Sequence, residues 1–218
     1  MRRARFETVF FDVDSTLVAL EGIDVLADGD PEIARLTDAA MNGEIPIDRV
    51  YALRLERIRP RREAVEELGR RYLDAIVPGA EDVFTTLHTL GTAAVLVTAG
   101  IRQAILPLAA RLAVPDRLVH AVELRFTPDG SYAGFDENSP LTRPGGKEVV
   151  VMNVRARSKG RAAFVGDGIT DLEAKGAVDL FIGFGGVRVR ERVAEDSQVY
   201  VREPSLAAVL PYLIEETP

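Results

Sequence analysis

The chain has no cysteine, only two histidines and no long apolar run. Without cysteine it can form neither disulfides nor zinc–thiolate sites, and it cannot use a thiol as a nucleophile. The two histidines, His88 and His120, lack metal-ligand spacing, so we assign them no role. No apolar stretch reaches the length needed to cross a bilayer, and the basic N-terminus is not followed by an apolar signal core. We therefore expect a cytoplasmic protein without a membrane partner.

Composition and charge are those of an ordinary globular protein. The chain has 218 residues, of which 47% are hydrophobic and 28% are charged. This length can bury one good core and carry a small inserted domain. The formal net charge of -7 argues against nucleic acid as a partner, and the basic runs at residues 155–161 and 188–192 are interpreted as solvated surface. The oligomeric state stays open between monomer and homodimer.

Two carboxylates follow the first apolar run of the chain. Residues 9–11 predict a buried strand that ends at Asp12, and Asp14 comes two residues later. Ligand sites in open parallel sheets lie at the carboxyl ends of the strands. A pair of acids there can bind a hard cation, and one of them can act as a nucleophile. The alternative for so short a pattern is a solvated turn.

A second acidic turn follows residues 162–165, which predict another buried strand. Gly166 and Gly168 permit a tight turn and the close approach of a ligand around Asp167. Asp171 falls near the start of the next helix, where the alternative is an ordinary capping or dipole role. The glycine cluster at residues 183–186 lacks the spacing of a dinucleotide-binding loop, so we interpret it as a turn.

A hydroxyl and a lysine occupy two further positions beside predicted elements. Thr98 follows an apolar strand predicted at residues 93–97 and precedes a helix, where a hydroxyl can hold a phosphate oxygen. Lys147 stands at a helix start and opposes the helix dipole, so it needs another reason to be there, such as holding an anion. The alternatives are a helix cap for Thr98 and a freely solvated side chain for Lys147.

Strands and helices alternate along most of the chain. Two-sided apolar strands in this alternation predict an α/β fold with a Rossmann-like parallel sheet. Residues 19–75 predict helices only, so we expect a small helical cap domain inserted after the first strand, with residues 1–18 and 76–218 forming the core domain. The alternative is that these helices simply cover the sheet. We also expect a hairpin at residues 124–135 and a closing helix at residues 206–214.

Together these motifs resemble the haloacid dehalogenase superfamily of phosphohydrolases. The four motifs of that superfamily are matched here by residues 12–16, Thr98, Lys147 and residues 166–171. The resemblance implies two-step phosphoryl transfer, in which Asp12 forms an aspartyl-phosphate and Asp14 acts as general acid and then as general base. Thr98 and Lys147 would hold the transferred oxygens. The residues implied at a Mg²⁺ cofactor are Asp12, Asp167 and the backbone carbonyl of Asp14, with Asp171 orienting the water shell or Lys147.

Within the superfamily the chain is similar to the phosphoserine phosphatases over roughly residues 10–214. The similarity rests on residues 21–24, Met41, Gly43, Pro46, Arg54, residues 132–136 and residues 181–186. It implies hydrolysis of L-phosphoserine to L-serine, the last step of serine biosynthesis. Glu21 would bind the substrate ammonium and Arg54 its carboxylate. The other substrate contacts that the resemblance implies are Met41, Gly43, Thr98, Ala99, Gly100 and Lys147. The alternative for Glu21 and Arg54 is that both form ion pairs on the surface of the cap helices.

Two positions depart from the family pattern. Residues 98–100 are Thr-Ala-Gly in place of Ser-Gly-Gly, and residues 41–43 are Met-Asn-Gly in place of Met-Gly-Gly. Ala99 adds a methyl group where backbone approaches substrate, and it resists a positive φ. Both departures keep open a phosphatase or phosphotransferase acting on another small phosphate ester. A receiver-like phospho-acceptor module is a further alternative, against which the chain length and Asp14 argue.

Overall fold

The computed structural model describes residues 2–216. The strands in this range are β1 (Arg2–Ala4), β2 (Thr8–Phe11), β3 (Ala93–Ile101), β4 (Val119–Val122), β5 (Leu124–Phe126), β6 (Tyr132–Phe135), β7 (Ala162–Gly166), β8 (Leu180–Phe184), β9 (Val199–Val201) and β10 (Ile214–Glu216). The helices are α1 (Gly22–Leu26), α2 (Pro31–Met41), α3 (Ile47–Ile58), α4 (Arg62–Asp74), α5 (Ala80–Thr89), α6 (Arg102–Arg111), α7 (Gly146–Arg155), α8 (Ile169–Leu172), α9 (Glu191–Asp196) and α10 (Leu210–Leu213).

Six strands form one parallel sheet in the order β4-β3-β2-β7-β8-β9. Every residue of β2 is buried, which explains its continuous apolar run, since a central parallel strand is covered on both faces. The chain adds strands on one side of β2 and later on the other, so the order reverses there. Such a reversal opens a crevice at the carboxyl ends of the strands. The predicted α/β fold with a Rossmann-like parallel sheet is confirmed.

Four helices, α1–α4, lie between β2 and α5 in the chain, and we call them the inserted helices. The last of them, α4, packs closely on α6. A Cβ added at Gly69 of α4 would lie 3.2 Å from the backbone oxygen of Ala104. The start of α4 also bonds to the hairpin of β5 and β6, through the Arg62 N–H and the Gly130 carbonyl at 2.9 Å. Helices thus occupy the expected insertion, while the division into two domains stays a prediction.

Strand β3 continues further than the sequence predicts. The expected end is at residue 97, but β3 runs to Ile101, and its pairing with β4 shifts register between Val97 and Ile101. The following helix, α6, begins only at Arg102, with Ile101 at its N-cap. Thr98 therefore belongs to the end of a strand, and the helix-cap alternative for it is wrong.

The C-terminal segment also differs from its prediction. In place of one helix at residues 206–214, a 3-10 turn (Leu206–Val209) leads into the short α10, and β10 then pairs antiparallel with β1. Pro211 lacks the N–H that a continuous helix would need at that point, which accounts for the break. The pairing of β1 with β10 has no apolar alternation to predict it, because Arg3 faces Glu215 in the register. The predicted hairpin is present as β5 and β6.

Candidate active site

Asp12 and Asp167 lie at the carboxyl ends of two adjacent strands. Phe11 of β2 pairs in register with Val165 of β7, and the Asp12 N–H donates to the Val165 carbonyl at 3.0 Å. Both acids are buried, and the hydroxyl of Thr16 donates to Asp167 Oδ1 at 3.3 Å. The two predicted acidic turns therefore meet at one edge of the sheet. The solvated-turn alternative given for the first of these turns is wrong.

Lys147, near the start of α7, extends into this group of acids. Its Nζ lies 2.8 Å from Asp12 Oδ1 and 2.5 Å from Asp171 Oδ1, and all three side chains are buried. Burial alone would lower the pKa of Lys147, but the carboxylates of Asp12 and Asp171 outweigh it and hold that pKa above its usual value. Lys147 is consequently a fixed buried cation, and the freely solvated alternative is wrong.

The carboxyl group of Asp171 is fully engaged within the protein. Its Oδ1 accepts a hydrogen bond from Lys147 Nζ, and its Oδ2 accepts one from the Gly168 N–H at 2.9 Å. Through these two hydrogen bonds Asp171 orients Lys147 and the glycine turn at the start of α8. Orienting Lys147 is one of the two roles expected of it.

Buried acids at this edge form a cluster that fits a hard cation. Oxygens of Asp12, Asp167 and Asp171 lie within 4.8 Å of one another. Burial raises the pKa of Asp167 to about 7 and that of Asp171 to about 8, because their negative charges are poorly compensated. Asp12 Oδ1 is buried and, within the described part of the chain, receives no hydrogen bond of good geometry apart from its ionic contact with Lys147. Excess buried negative charge on closely spaced carboxylates is what a Mg²⁺ site requires.

Asp14 is held on the turn that follows Asp12. The Gly22 N–H and the Tyr72 hydroxyl both donate to its Oδ1, at 3.2 and 2.7 Å. The next residue, Ser15, has a φ of 55°, a strained conformation for a non-glycine residue that is frequent at functional sites. Burial raises the pKa of Asp14 to about 7, against the lowering effect of the Tyr72 hydrogen bond. A carboxyl group with this pKa can both donate and accept a proton near neutrality.

The end of β3 supplies a hydroxyl and a bare stretch of backbone. Thr98 Oγ1 accepts a hydrogen bond from the Gly100 N–H at 3.0 Å. A Cβ added at Gly100 would lie 3.3 Å from both Asp14 Oδ2 and Thr98 Oγ1, so a side chain there would crowd the acid. Ala99 does not take a positive φ, and its carbonyl accepts from the Tyr51 hydroxyl at 2.8 Å. The extra methyl group of Ala99 therefore causes no backbone strain.

Glu21 and Arg54 bring opposite charges to the other side of the pocket. Glu21 Oε1 accepts from the Ser15 hydroxyl at 2.6 Å, and burial raises the pKa of Glu21 to about 7. Arg54 Nη1 donates to Thr37 Oγ1 at 3.1 Å, while its Nε is buried and has no hydrogen-bond partner among residues 2–216. Burial also lowers the pKa of Arg54. Since both side chains are buried, the alternative of surface pairing is wrong.

One pocket joins the two groups of residues. The predicted site residues that line it are Asp12, Asp14, Glu21, Met41, Arg54, Thr98, Ala99, Gly100 and Lys147. Gly43, expected in the substrate pocket, lies outside it. Its φ of +77° turns the chain at the end of α2, and a Cβ added there would meet the Ile169 side chain at 3.1 Å. Gly43 is thus required by the turn and by its close approach to α8, and this corrects its expected place.

Arg190 belongs to the site although the sequence predicts solvated surface for residues 188–192. Its Nε donates to Asp167 Oδ2 and its Nη1 to Asn42 Oδ1, both at 3.0 Å. Its Nη2 lies 3.6 Å from Glu21 Oε1. The other arginines of the run have exposed side chains, so the charge pattern carried no signal for this one. Asn42, which departs from the family pattern, accepts a hydrogen bond from Arg190 and does not line the pocket.

Two tyrosines of the inserted helices also contact the site, Tyr51 from α3 and Tyr72 from α4. Apolar periodicity places Tyr72 on the buried face of its helix together with Val65 and Leu68, but it does not say what the hydroxyl contacts. The sequence could still have indicated a polar contact, because the hydroxyl of a buried tyrosine usually needs a hydrogen-bond partner.

Sequence comparison finds relatives over most of the chain. Residues 9–174 match the family model of haloacid dehalogenase-like hydrolases. The chain is 40% identical over 200 residues to the chloroplastic phosphoserine phosphatase of Arabidopsis thaliana, covering 88% of this chain and 67% of that protein. It is 34% identical over 201 residues to the phosphoserine phosphatase of Bos taurus, covering 90% of this chain and 89% of the relative.

Structural comparison extends the likeness to the whole fold. A phosphoserine phosphohydrolase-like protein from Francisella tularensis superposes with a TM-score of 0.84 at 25% identity, covering 94% of this chain and 99% of that one. Among the helices of residues 2–216, none combines the length and apolar character needed to cross a membrane. Residues 9–174, which the family model matches, include the acidic turns and the inserted helices.

Proposed function

The chain belongs to the haloacid dehalogenase-like hydrolase family, and from this premise and its active-site geometry we propose that it hydrolyses L-phosphoserine to L-serine and phosphate. One observation carries the proposal. A single pocket holds the nucleophile Asp12, the acid Asp14 and the cation Lys147, together with a buried acid and a buried arginine that match the two charges of an amino acid.

Asp12 performs the first chemical step. An oxygen of its carboxylate bonds to phosphorus while the bond between phosphorus and the serine oxygen breaks, which leaves an aspartyl-phosphate. Lys147, 2.8 Å from Asp12 Oδ1, fixes the orientation of this carboxylate. Lys147 and Thr98 hold the transferred phosphoryl oxygens as negative charge develops on them.

Asp14 moves the protons of both steps. In the first step it gives its proton to the departing serine oxygen, so that serine leaves as a neutral alcohol rather than an alkoxide. In the second step the resulting carboxylate takes a proton from water, whose oxygen bonds to phosphorus as the bond to Asp12 breaks. A pKa of about 7 allows Asp14 to act in both directions near neutral pH.

The acid cluster fits a Mg²⁺ ion, which Asp12, Asp167 and the backbone carbonyl of Asp14 would hold. When bound, the ion neutralises phosphate oxygens and favours the ionised form of the acids that hold it. Asp171 keeps Lys147 in place through its 2.5 Å contact, and Arg190 does the same for Asp167.

The inserted helices select the substrate. Arg54 has a buried donor, Nε, that no described residue accepts from, and its guanidinium matches the substrate carboxylate in shape and charge. Glu21 receives the substrate ammonium on the other side, and Met41 contributes apolar wall. The departures at Asn42 and Ala99 favour no other ester, since neither strains the backbone nor places a new polar side chain in the pocket.

A receiver-like module is disfavoured by the position of Asp14. A phospho-acceptor that stores its phosphoryl group would be harmed by a general base two residues from the nucleophile. The two-domain division, the cytoplasmic location and the lack of a nucleic-acid partner stay predictions. One of the relatives carries a chloroplast designation, and the oligomeric state stays open.

The test is Mg²⁺-dependent phosphate release from L-phosphoserine beside phosphoethanolamine, glycerol phosphate and a sugar phosphate. We expect many turnovers per protein molecule, a clear preference for L-phosphoserine, and loss of activity in Asp12→Asn. Turnover of the other esters with L-phosphoserine among the poorest would refute the substrate. A single phosphorylation without turnover would refute hydrolysis and favour a phospho-acceptor module.

A further inference from the structure

The two oxygens of the Asp14 carboxyl group have different surroundings. Oδ1 accepts from the Gly22 N–H at 3.2 Å and from the Tyr72 hydroxyl at 2.7 Å. Oδ2 faces Gly100, since a Cβ added there would lie 3.3 Å from it. In the described part of the chain, both hydrogen bonds of this carboxyl group end on Oδ1. One oxygen is therefore anchored, and the other is directed to the bare backbone at the pocket wall.

Tyr72 is itself held rigidly. It is fully buried on α4, with Val65 and Leu68 of the same helix face, and α4 is packed on α6 through the close approach of Gly69. A tyrosine has only two side-chain torsions, so a packed ring fixes the position of its hydroxyl. Burial also raises the pKa of Tyr72 well above its usual value, which keeps the hydroxyl protonated and able to donate.

Gly22 and Tyr72 are interlocked around the same oxygen. A Cβ added at Gly22 would lie only 2.2 Å from Tyr72 Oη and 3.1 Å from its Cζ. The tyrosine hydroxyl therefore occupies the space that any side chain at position 22 would need. Absence of a side chain at Gly22 lets its N–H and the Tyr72 hydroxyl converge on Asp14 Oδ1.

We propose that Tyr72 is a positioning residue for proton transfer, which pins Asp14 Oδ1 so that Oδ2 carries the proton exchanged with substrate and water. In the first step the proton leaves Oδ2 for the serine oxygen as the ester bond breaks. In the second step Oδ2 receives one proton of the attacking water as the bond between phosphorus and Asp12 breaks. This role rests on the proposed hydrolysis of L-phosphoserine.

The first test is Tyr72→Phe, which removes only the hydroxyl. We expect kcat for L-phosphoserine to fall about tenfold or more with KM within about twofold, since a loosely held acid loses part of its contribution. The solvent deuterium isotope effect on kcat should increase, because proton transfer then limits the rate. Tyr212→Phe, at an exposed tyrosine on α10, is the matched control and should leave all three values unchanged. A kcat within twofold of the parent, or an equal rise in KM, would overturn the proposal.

Gly22→Ala tests the same contact from the other side. Its methyl group must displace the Tyr72 hydroxyl, so we expect a fall in kcat similar to that of Tyr72→Phe. When Tyr72→Phe is already present, Gly22→Ala should add less than a twofold further loss, because no hydroxyl remains to be displaced. If the two losses multiply instead, the hydroxyl is not the shared cause and the proposal fails.

Thermal unfolding of the metal-free protein separates this proposal from the proposed function. Tyr72→Phe should lower Tm less when Asp14→Ala is present than in the parent, because the hydrogen bond to Asp14 is already gone. Equal losses of Tm in both backgrounds would contradict the contact. A parent protein that releases phosphate from no ester would refute the proposed function alone, since this unfolding comparison needs no turnover.

Discussion

The two sides of the pocket are built by different means. On the strand side, Asp12 and Asp167 come directly after buried parallel strands, so backbone register fixes where they lie. On the helix side, Glu21 lies just before α1 and Arg54 lies on α3, and both depend on hydrogen bonds between side chains for their positions. The first arrangement leaves little freedom and suits the chemistry. The second can change with the substrate. We therefore expect substitutions of Asp12 and Asp167 to affect kcat and those of Glu21 and Arg54 to affect KM, whereas Gly22 and Tyr72, which contact Asp14, should affect kcat.

The largest effect is expected on the strand side, from Asp12→Asn. Loss of the nucleophile should lower kcat about 10⁴-fold or more. Folding should survive, because the charge of Asp12 contributes to the raised pKa values of its acidic neighbours Asp14, Asp167 and Asp171. The measurement is phosphate release together with Tm in the absence of metal. Residual activity within 100-fold of the parent would contradict the role of Asp12.

On the helix side, Arg54→Ala should act mainly on substrate binding. We expect KM for L-phosphoserine to rise roughly 30-fold, since a buried charge-assisted contact is lost, while activity on phosphoethanolamine, which lacks the carboxylate, changes less than twofold. The control is Arg57→Ala on the same helix, whose exposed side chain pairs with Asp30. Equal losses on both esters would show that Arg54 does not read the carboxylate.

Arg190 joins the two sides, so its replacement sharpens the comparison. Arg190→Met leaves Asp167 without its charged partner, and we expect a loss of roughly 3 kcal/mol in the free energy of unfolding at pH 8. A roughly tenfold higher Mg²⁺ requirement should accompany it, since Asp167 is less well oriented. Arg192→Met, at an exposed position of the same run, should change neither value. If the two variants behave alike in unfolding and Mg²⁺ titrations, Arg190 neither stabilises the fold through Asp167 nor orients Asp167 for the metal.

The smallest effect concerns pH and metal. Folding raises the pKa of Asp14 and Asp167 to about 7 and that of Asp171 to about 8, from usual values near 3.8. The metal-free protein should therefore be most stable below pH 4 with respect to these groups, and lose that stability as the pH rises through 7 to 8. Mg²⁺ needs the ionised acids, so it should raise Tm by on the order of 5 °C at pH 8 and by clearly less at pH 5.5. Scanning fluorimetry with EDTA or Mg²⁺ measures the change in Tm at both pH values. A larger rise in Tm with Mg²⁺ at pH 5.5 than at pH 8 would contradict the predicted pH dependence.

The strand side of the site can be predicted from the sequence for a physical reason. Apolar runs that end in an acid identify both the strand and the sheet edge at which its last residue lies, so Asp12 and Asp167 were predicted to lie together. Lys147 was predicted to hold an anion because a lysine at a helix start opposes the helix dipole and needs another reason to be there. These inferences need only the local chain and the rule that parallel strands end at one edge.

The helix side could be predicted only in part. Periodicity tells which face of a helix is buried, but not which partner the polar end of a side chain contacts, so the hydroxyls of Tyr51 and Tyr72 were not predicted. Arg190 was missed because its burial depends on two acids and an amide from distant parts of the chain. Gly43 was expected in the pocket from the resemblance, but it lies outside the pocket. The positive φ at position 43 explains why a glycine occurs there.

The most direct test that the strand side performs the chemistry and the helix side binds the substrate is to look for the phosphoryl group on Asp12. A reaction with L-phosphoserine and Mg²⁺ would be quenched in acid, digested and examined by mass spectrometry. We expect one phosphoryl group on the peptide that contains Asp12, absent in Asp12→Asn and equally present in Arg54→Ala at saturating substrate. Rapid turnover with no phosphoryl group on that peptide, in repeated quenches across the approach to steady state, would contradict it.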